Sequence, residues 1–195
     1  MGDRPVIWTA GHSNHAFEEF AALLASETIA VVVDVRSYPY SRFASHFNRE
    51  EMAAGLNATG VKYLYLGGEL GGRPTSDDHY DAEGRALYGL MAEKPAFREA
   101  IERVLRGAAD HRIALVCTEG TPKECHRRLL VGKVLTDHGA VLRHILPDGH
   151  VFEETAVEID DTGDQPSLFG DEKEAAWTST QSVSHRRRLS DSSVA

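Results

Sequence analysis

The chain has 195 residues, 42% of them apolar, which suits one α/β domain with a real core and is too short for two full-sized ones. Its 30 acidic and 21 basic side chains give a net charge of -9, which argues against nonspecific nucleic-acid coating or anionic-membrane binding as the dominant mode. The imbalance is uneven: residues 1–150 carry 20 acidic and 17 basic side chains and residues 151–195 carry 10 and 4, so a local basic site is still allowed. Two cysteines cannot form a disulfide framework, the N-terminus lacks the apolar run of a signal peptide, and no stretch reaches membrane-spanning length. These features lead us to expect a cytoplasmic protein with free thiols and no membrane partner.

Five β-rich runs, 6–9, 30–34, 61–66, 113–117 and 141–146, alternate with segments of helical periodicity. The alternation predicts a Rossmann-like, three-layer α/β fold: a mostly parallel sheet of about five strands with crossover helices. The run Ala30-Val31-Val32-Val33 is apolar at successive positions, as a strand covered on both faces must be, and belongs at the centre. A first helix is expected to start near Ser13 and Asn14 and to bury Phe17, Phe20 and Leu24, and a second to start at Asn48, with Glu51 completing a capping box, and end at Gly60. Pro95 opens a third helix that aligns Phe97, Ile101, Val104, Leu105 and Ala108. A fourth should begin at Thr121 and Pro122, placing Cys125 and His126 in its first turn, and end at Gly139. Residues 67–86 show no clear periodicity and read as a binding loop or lid. The domain is expected to cover 1–150. Residues 151–195 read as a tail, acidic and then rich in serine and arginine, largely disordered from 157 onward.

In a parallel sheet the residues that follow the strands gather at one edge, where ligands bind. Here those residues are His12, Asp34, Arg36, Arg42, Arg73, Cys117 and Glu119, which should surround one cleft. Candidates for chemistry are His12, Asp34, Cys117 and Glu119. Candidates for holding phosphate or another anion are Arg36, Arg42, Arg73, Lys123, Cys125, His126, Arg127 and Arg128. The bland alternatives are a core thiol at Cys117, a loop-bonding His12 and a structural Asp34–Arg36 ion pair. Cys117, Cys125 and His126 also suggest a partial zinc or iron site, although Cys-x7-Cys-His lacks the two-residue spacing of well-defined zinc motifs. The sequence leaves the cofactor unknown.

The segments Gly11-His12-Ser13, Asp34-Val-Arg36-x-x-Pro39-x-Ser41-Arg42 with Phe47-Asn48, Tyr65-Leu66-Gly67-Gly68, and Cys117-x-Glu119 through Cys125-His126-Arg127 occur in the order typical of family 488 of the domains of unknown function. The resemblance spans roughly residues 6–147. It implies the α/β fold and the pocket, and names no reaction. A weaker similarity links Asp34-Val-Arg36 and the strand-terminal Cys117 to rhodanese-type sulfurtransferases and cysteine phosphatases. Lys123 at the sixth position past Cys117 and Pro122 in the loop depart from the amide-lined loop of those enzymes, which speaks against a phosphatase.

In the tail, Gln-Pro-Ser-Leu-Phe at 165–169 resembles the peptide by which bacterial repair and replication proteins dock on the DNA sliding clamp, with Gln165, Leu168 and Phe169 as anchors. The leading expectation is a protein that acts on or recognises nucleic acid or nucleotides in DNA repair or genome maintenance, tethered to the clamp. The rivals are a thiol-dependent enzyme for sulfur or acyl transfer on a small anionic substrate, and a noncatalytic adaptor.

Overall fold

A computed structural model describes residues 4–154 and 176–183. Six strands, β1 (Val6–Gly11), β2 (Val31–Asp34), β3 (Lys62–Tyr65), β4 (Ile113–Cys117), β5 (Val141–Ile145) and β6 (Val151–Glu154), form one sheet in the order β3-β2-β4-β1-β5-β6. The first five are parallel and β6 is antiparallel to β5. All five expected strands are present, and every residue of β2 and β4 is buried, in keeping with their apolar runs. However, β2 lies second from the β3 edge while β4 and β1 hold the centre, because an apolar run reports cover on both faces and not position across the sheet.

Alternation along the strands feeds two layers. Trp8, Ala10, Val32, Ala114 and Val116 pack against α1 (Phe17–Ser26) and α2 (Arg49–Ala58) through Phe20, Leu24, Met52 and Leu56. On the other face Ile7, Val33, Ile113 and Leu115 pack against Phe97, Ile101 and Val104 of the long helix Pro95–Asp110 and against Leu130 and Leu135. Two short helices precede that one, so the helices in chain order are α3 (Gly67–Leu70), α4 (Tyr88–Ala92), α5 (Pro95–Asp110) and α6 (Lys133–Asp137).

Several local expectations change. Helix α1 starts at Phe17, where the Ala16 amide donates to Glu19 Oε2 at 3.0 Å, so Glu19 and not Ser13 or Asn14 secures its start. Asn48 sits at the N-cap of α2, yet its Oδ1 accepts from Ser41 N at 2.7 Å and braces the preceding loop. Gly60 follows the end of α2 with φ of 84°, as expected. The fourth helix begins later than expected: residues 121–125 form a turn in which Cys125 N donates to Pro122 O at 3.1 Å, and a π-helical turn, Arg127–Gly132, leads into α6. His126 is the first helical residue, as expected, while Cys125 sits at the boundary just before it, its carbonyl accepting from Arg128 N and Leu129 N at 2.9 and 3.0 Å.

The tail boundary also moves. Val151–Glu154, assigned to the tail from its acidity, is strand β6, joined to β5 by a turn through Gly149 at φ of 84°. Residues 176–183 lie against the domain: Ser179 N donates to Ala86 O at 2.9 Å, Ala86 N to Ser179 Oγ at 2.9 Å, and Val183 N to Gly84 O at 2.9 Å. The Trp177 indole donates to Leu129 O at 2.9 Å and its ring meets Tyr88 edge-on at 6.1 Å. Trp177→Ala is expected to cost about 2 kcal/mol, less than the 3–5 of a fully buried tryptophan because its ring is half-buried. Urea denaturation followed by circular dichroism measures this. The segment 165–169 lies outside the described residues.

Candidate functional site

Parallel pairing of β1, β2 and β4 sets their C-terminal ends side by side, with Gly11 opposite Cys117 and Asp34 opposite Val116. A cleft of about 790 Å³ opens at that edge. Of the seven residues expected to surround it, Arg36, Arg73, Cys117 and Glu119 line it and His12, Asp34 and Arg42 do not; the anion-holding candidates Lys123, Cys125 and His126 also line it. The remaining candidates stand behind or beside it.

Asp34 and Arg36 form a buried fork: Arg36 Nε donates to Asp34 Oδ1 at 2.9 Å and Nη2 to Oδ2 at 2.7 Å. The Arg36 amide and the Tyr63 hydroxyl add bonds to the same carboxylate at 3.0 and 2.6 Å. His12 completes the group. Its Nε2 lies 3.2 Å from Arg36 Nη1, which can only donate, so the lone pair is on Nε2 and Nδ1–H donates to Ser13 O at 3.1 Å. Burial, seconded by the Arg36 charge, lowers the His12 pKa to about 4 and keeps the ring neutral. Stacked on Phe47 at 4.3 Å, His12 orients Arg36 at the cleft floor and does not itself line the cleft.

Arg127 takes a different place from the one its anion-binding assignment implies. Its side chain is fully buried, with Nη1 donating to Glu119 O and Nη2 to Gly120 O at 2.9 Å. The guanidinium thus holds the loop after β4 from behind. Arg128 pairs with buried Glu154, whose other oxygen lies 2.7 Å from His144 Nε2. Arg42 is exposed on the loop 38–44, outside the cleft lining.

The chemically distinctive group is Cys117, Cys125 and His126. His126 Nε2 donates to Val35 O at 2.8 Å, which turns Nδ1 toward the sulfurs, 3.7 Å from Cys117 Sγ and 4.0 Å from Cys125 Sγ. Gly72 permits this ring position, since a Cβ there would come within 2.5 Å of the imidazole. The Cys125 thiol and then the His126 charge hold Cys117 well below the ordinary thiol range, against the effect of burial. Burial and the neighbouring Cys117 push Cys125 up. Burial is the largest influence on His126 and opposes its protonation, but the Cys117 charge, the hydrogen bond to Cys117 and the bond to the Val35 carbonyl together outweigh it and raise the imidazole. The three donor atoms lie within 4.8 Å of one another and could hold a soft metal, with one position left to the cleft.

A family model matches residues 16–134, the span that carries Asp34, Arg36, both cysteines and His126. The chain belongs to the DUF488 family, described as a domain of unknown function. His12, at the end of β1, precedes the matched span, and β5 and β6 follow it. No curated protein and no solved structure matches this DUF488 chain.

The cleft also has walls that sequence reasoning missed. Tyr38 and Tyr40 stand at its mouth with ring centroids 5.4 Å apart, Tyr88 forms part of its lining, and residues 179–183 close one side. Gln181 Nε2 reaches Glu124 Oε2 at 2.7 Å across that side. The aromatic residues either side of Pro39 were a readable signal. Nothing local to 179–183 marks it as part of a site, because its partners lie about a hundred residues earlier in the chain.

Proposed function

We propose that this protein is a thiol-dependent enzyme in which Cys117 attacks an anionic substrate held in the cleft. The reading is carried by one observation: Cys117 Sγ lies 3.7 Å from His126 Nδ1, whose ring is oriented by the Val35 carbonyl. The Cys117 thiolate, its proton already on His126 Nδ1, forms a bond to an electrophilic carbon or sulfur as the bond from that atom to the departing group breaks. Nδ1–H protonates the departing group, and an acceptor nucleophile then takes the acyl group or sulfur and releases Cys117. Arg73 and Lys123 supply cations to the cleft, and Arg36, its charge balanced by Asp34, presents a fixed guanidinium at the floor. Sulfur or acyl transfer is the class of reaction that these parts fit.

The test is alkylation by iodoacetamide at neutral pH, with the modified peptides quantified by mass spectrometry. Cys117 is expected to react at least tenfold faster than Cys125, and His126→Ala to remove the difference. Equal rates overturn the reading. So does stoichiometric zinc in the purified protein that shields both thiols until a chelator is added.

A second reading, that the cleft serves nucleic acid or nucleotides in genome maintenance, is favoured by the aromatic and basic loop at its mouth. Tethering to a sliding clamp through Gln165, Leu168 and Phe169 is supported by the likeness of that segment alone. It would add a place of action to either chemistry.

A further inference from the structure

The loop between β2 and α2 carries a feature that thiol chemistry does not use. Phe43 is 97% exposed and Tyr38 73% exposed, with Arg42 exposed between them. The loop beneath these rings is fastened. Asn48 Oδ1 accepts from Ser41 N at 2.7 Å, Ser41 Oγ accepts from Phe43 N at 3.2 Å, Arg49 N donates to Pro39 O at 3.1 Å, and the Tyr40 hydroxyl donates to Glu50 at 2.9 Å. An apolar ring held out in water by a braced loop contributes no burial to the fold, so its position calls for a ligand.

Exposed aromatic rings and an exposed guanidinium on one short loop fit a polynucleotide whose bases are unpaired, since each base offers a π-face and each phosphate a charge. A duplex hides those faces inside its stack. An anionic lipid surface meets the whole rim at once, including Glu50, Glu119 and Glu124, and is repelled, whereas a single strand can thread between these acids. Tyr38 also lines the cleft together with Arg73 and Lys123, so a strand seated on the rim has cations for its next phosphates.

We infer that the rim binds single-stranded nucleic acid, with bases stacked on Tyr38 and Phe43 and a phosphate on Arg42. The inference deepens the proposed function by naming what the cleft receives, and it rests on the cleft as an anion site but not on Cys117 as a nucleophile.

The experiment uses the full chain and a fluorescein-labelled oligothymidylate of roughly ten nucleotides, with binding read by anisotropy at low salt. The single strand is expected to bind, and Phe43→Ala and Tyr38→Ala each to weaken it roughly tenfold. Arg42→Ala should lower the slope of log affinity against log salt by about 0.7, the value for one phosphate contact to a single strand. Phe43 and Arg42 are exposed, so their replacement leaves the fold intact. No binding at roughly 100 micromolar, the weak end of nonspecific affinity, overturns the inference. Equal affinity in both aromatic variants does so too, as does equal or tighter binding of the corresponding duplex or of phosphatidylglycerol vesicles. Loss of binding with fast Cys117 alkylation rejects the rim alone, and binding with equal thiol rates rejects the thiol reading alone.

Discussion

Arg127→Met is expected to lower the stability of the domain by about 3–5 kcal/mol, measured by urea denaturation. The guanidinium is fully buried and donates to the carbonyls of Glu119 and Gly120, with Nε 3.4 Å from Thr9 Oγ1. Thr9 Oγ1 in turn lies 2.7 Å from His144 Nδ1, and His144 joins Glu154. Methionine fills much of the volume but leaves the partly buried carbonyls of Glu119 and Gly120 without the donor that holds them. Lysine is expected to restore little, because one ammonium cannot span both acceptors in the planar geometry of the fork. A loss below about 1 kcal/mol would mean that the loop after β4 holds its shape without Arg127, and the account of how Glu119 and Cys117 are positioned would be wrong.

Acidification from pH 6.5 to 4 is expected to cost the fold about 3 kcal/mol through His12 alone. The folded ring has a pKa of about 4 against 6.5 for the unfolded chain, so across that window the unfolded state binds the proton and the folded state does not. Stability attributable to His12 is therefore complete above pH 6.5 and is lost as pH falls through the folded value. His126 has the opposite sign: its raised pKa favours the folded state at low pH, and that contribution fades as pH rises through it. The His12 effect is isolated by comparing the pH dependence of unfolding in the wild type and in His12→Asn, where the other groups cancel. Parallel curves would show that burial and the Arg36 charge do not hold His12 neutral in the folded state.

The outcome for individual residues separates two kinds of legibility. Cys117 and Arg36 were readable as cleft residues because Cys117 ends a strand and Arg36 lies two residues past one, and parallel pairing carries those positions to one edge whatever the helices do. Arg127 looks equally functional in sequence, beside Cys125 and His126. The π-helical turn rotates it away from the cleft, and a rotation of that kind depends on what packs behind the helix. Glu154 reads as one more acid in an acidic tail, yet it is buried against Arg128 and His144, partners that only the antiparallel return of β6 provides.

The sequence by itself determined the mostly parallel sheet, the burial of its apolar strands on both faces, the family and the cluster of thiols, imidazole and arginines after the strands, because these follow from periodicity and from residues close along the chain. Only the tertiary structure decided which of those polar groups face the cleft. It turned His126 Nδ1 toward Cys117 through a carbonyl 91 residues away, committed Arg127 to backbone oxygens, and set residues 179–183 as a wall. The physical reason is the same in each case: a buried donor must find an acceptor, and the nearest one in space is supplied by a distant part of the chain.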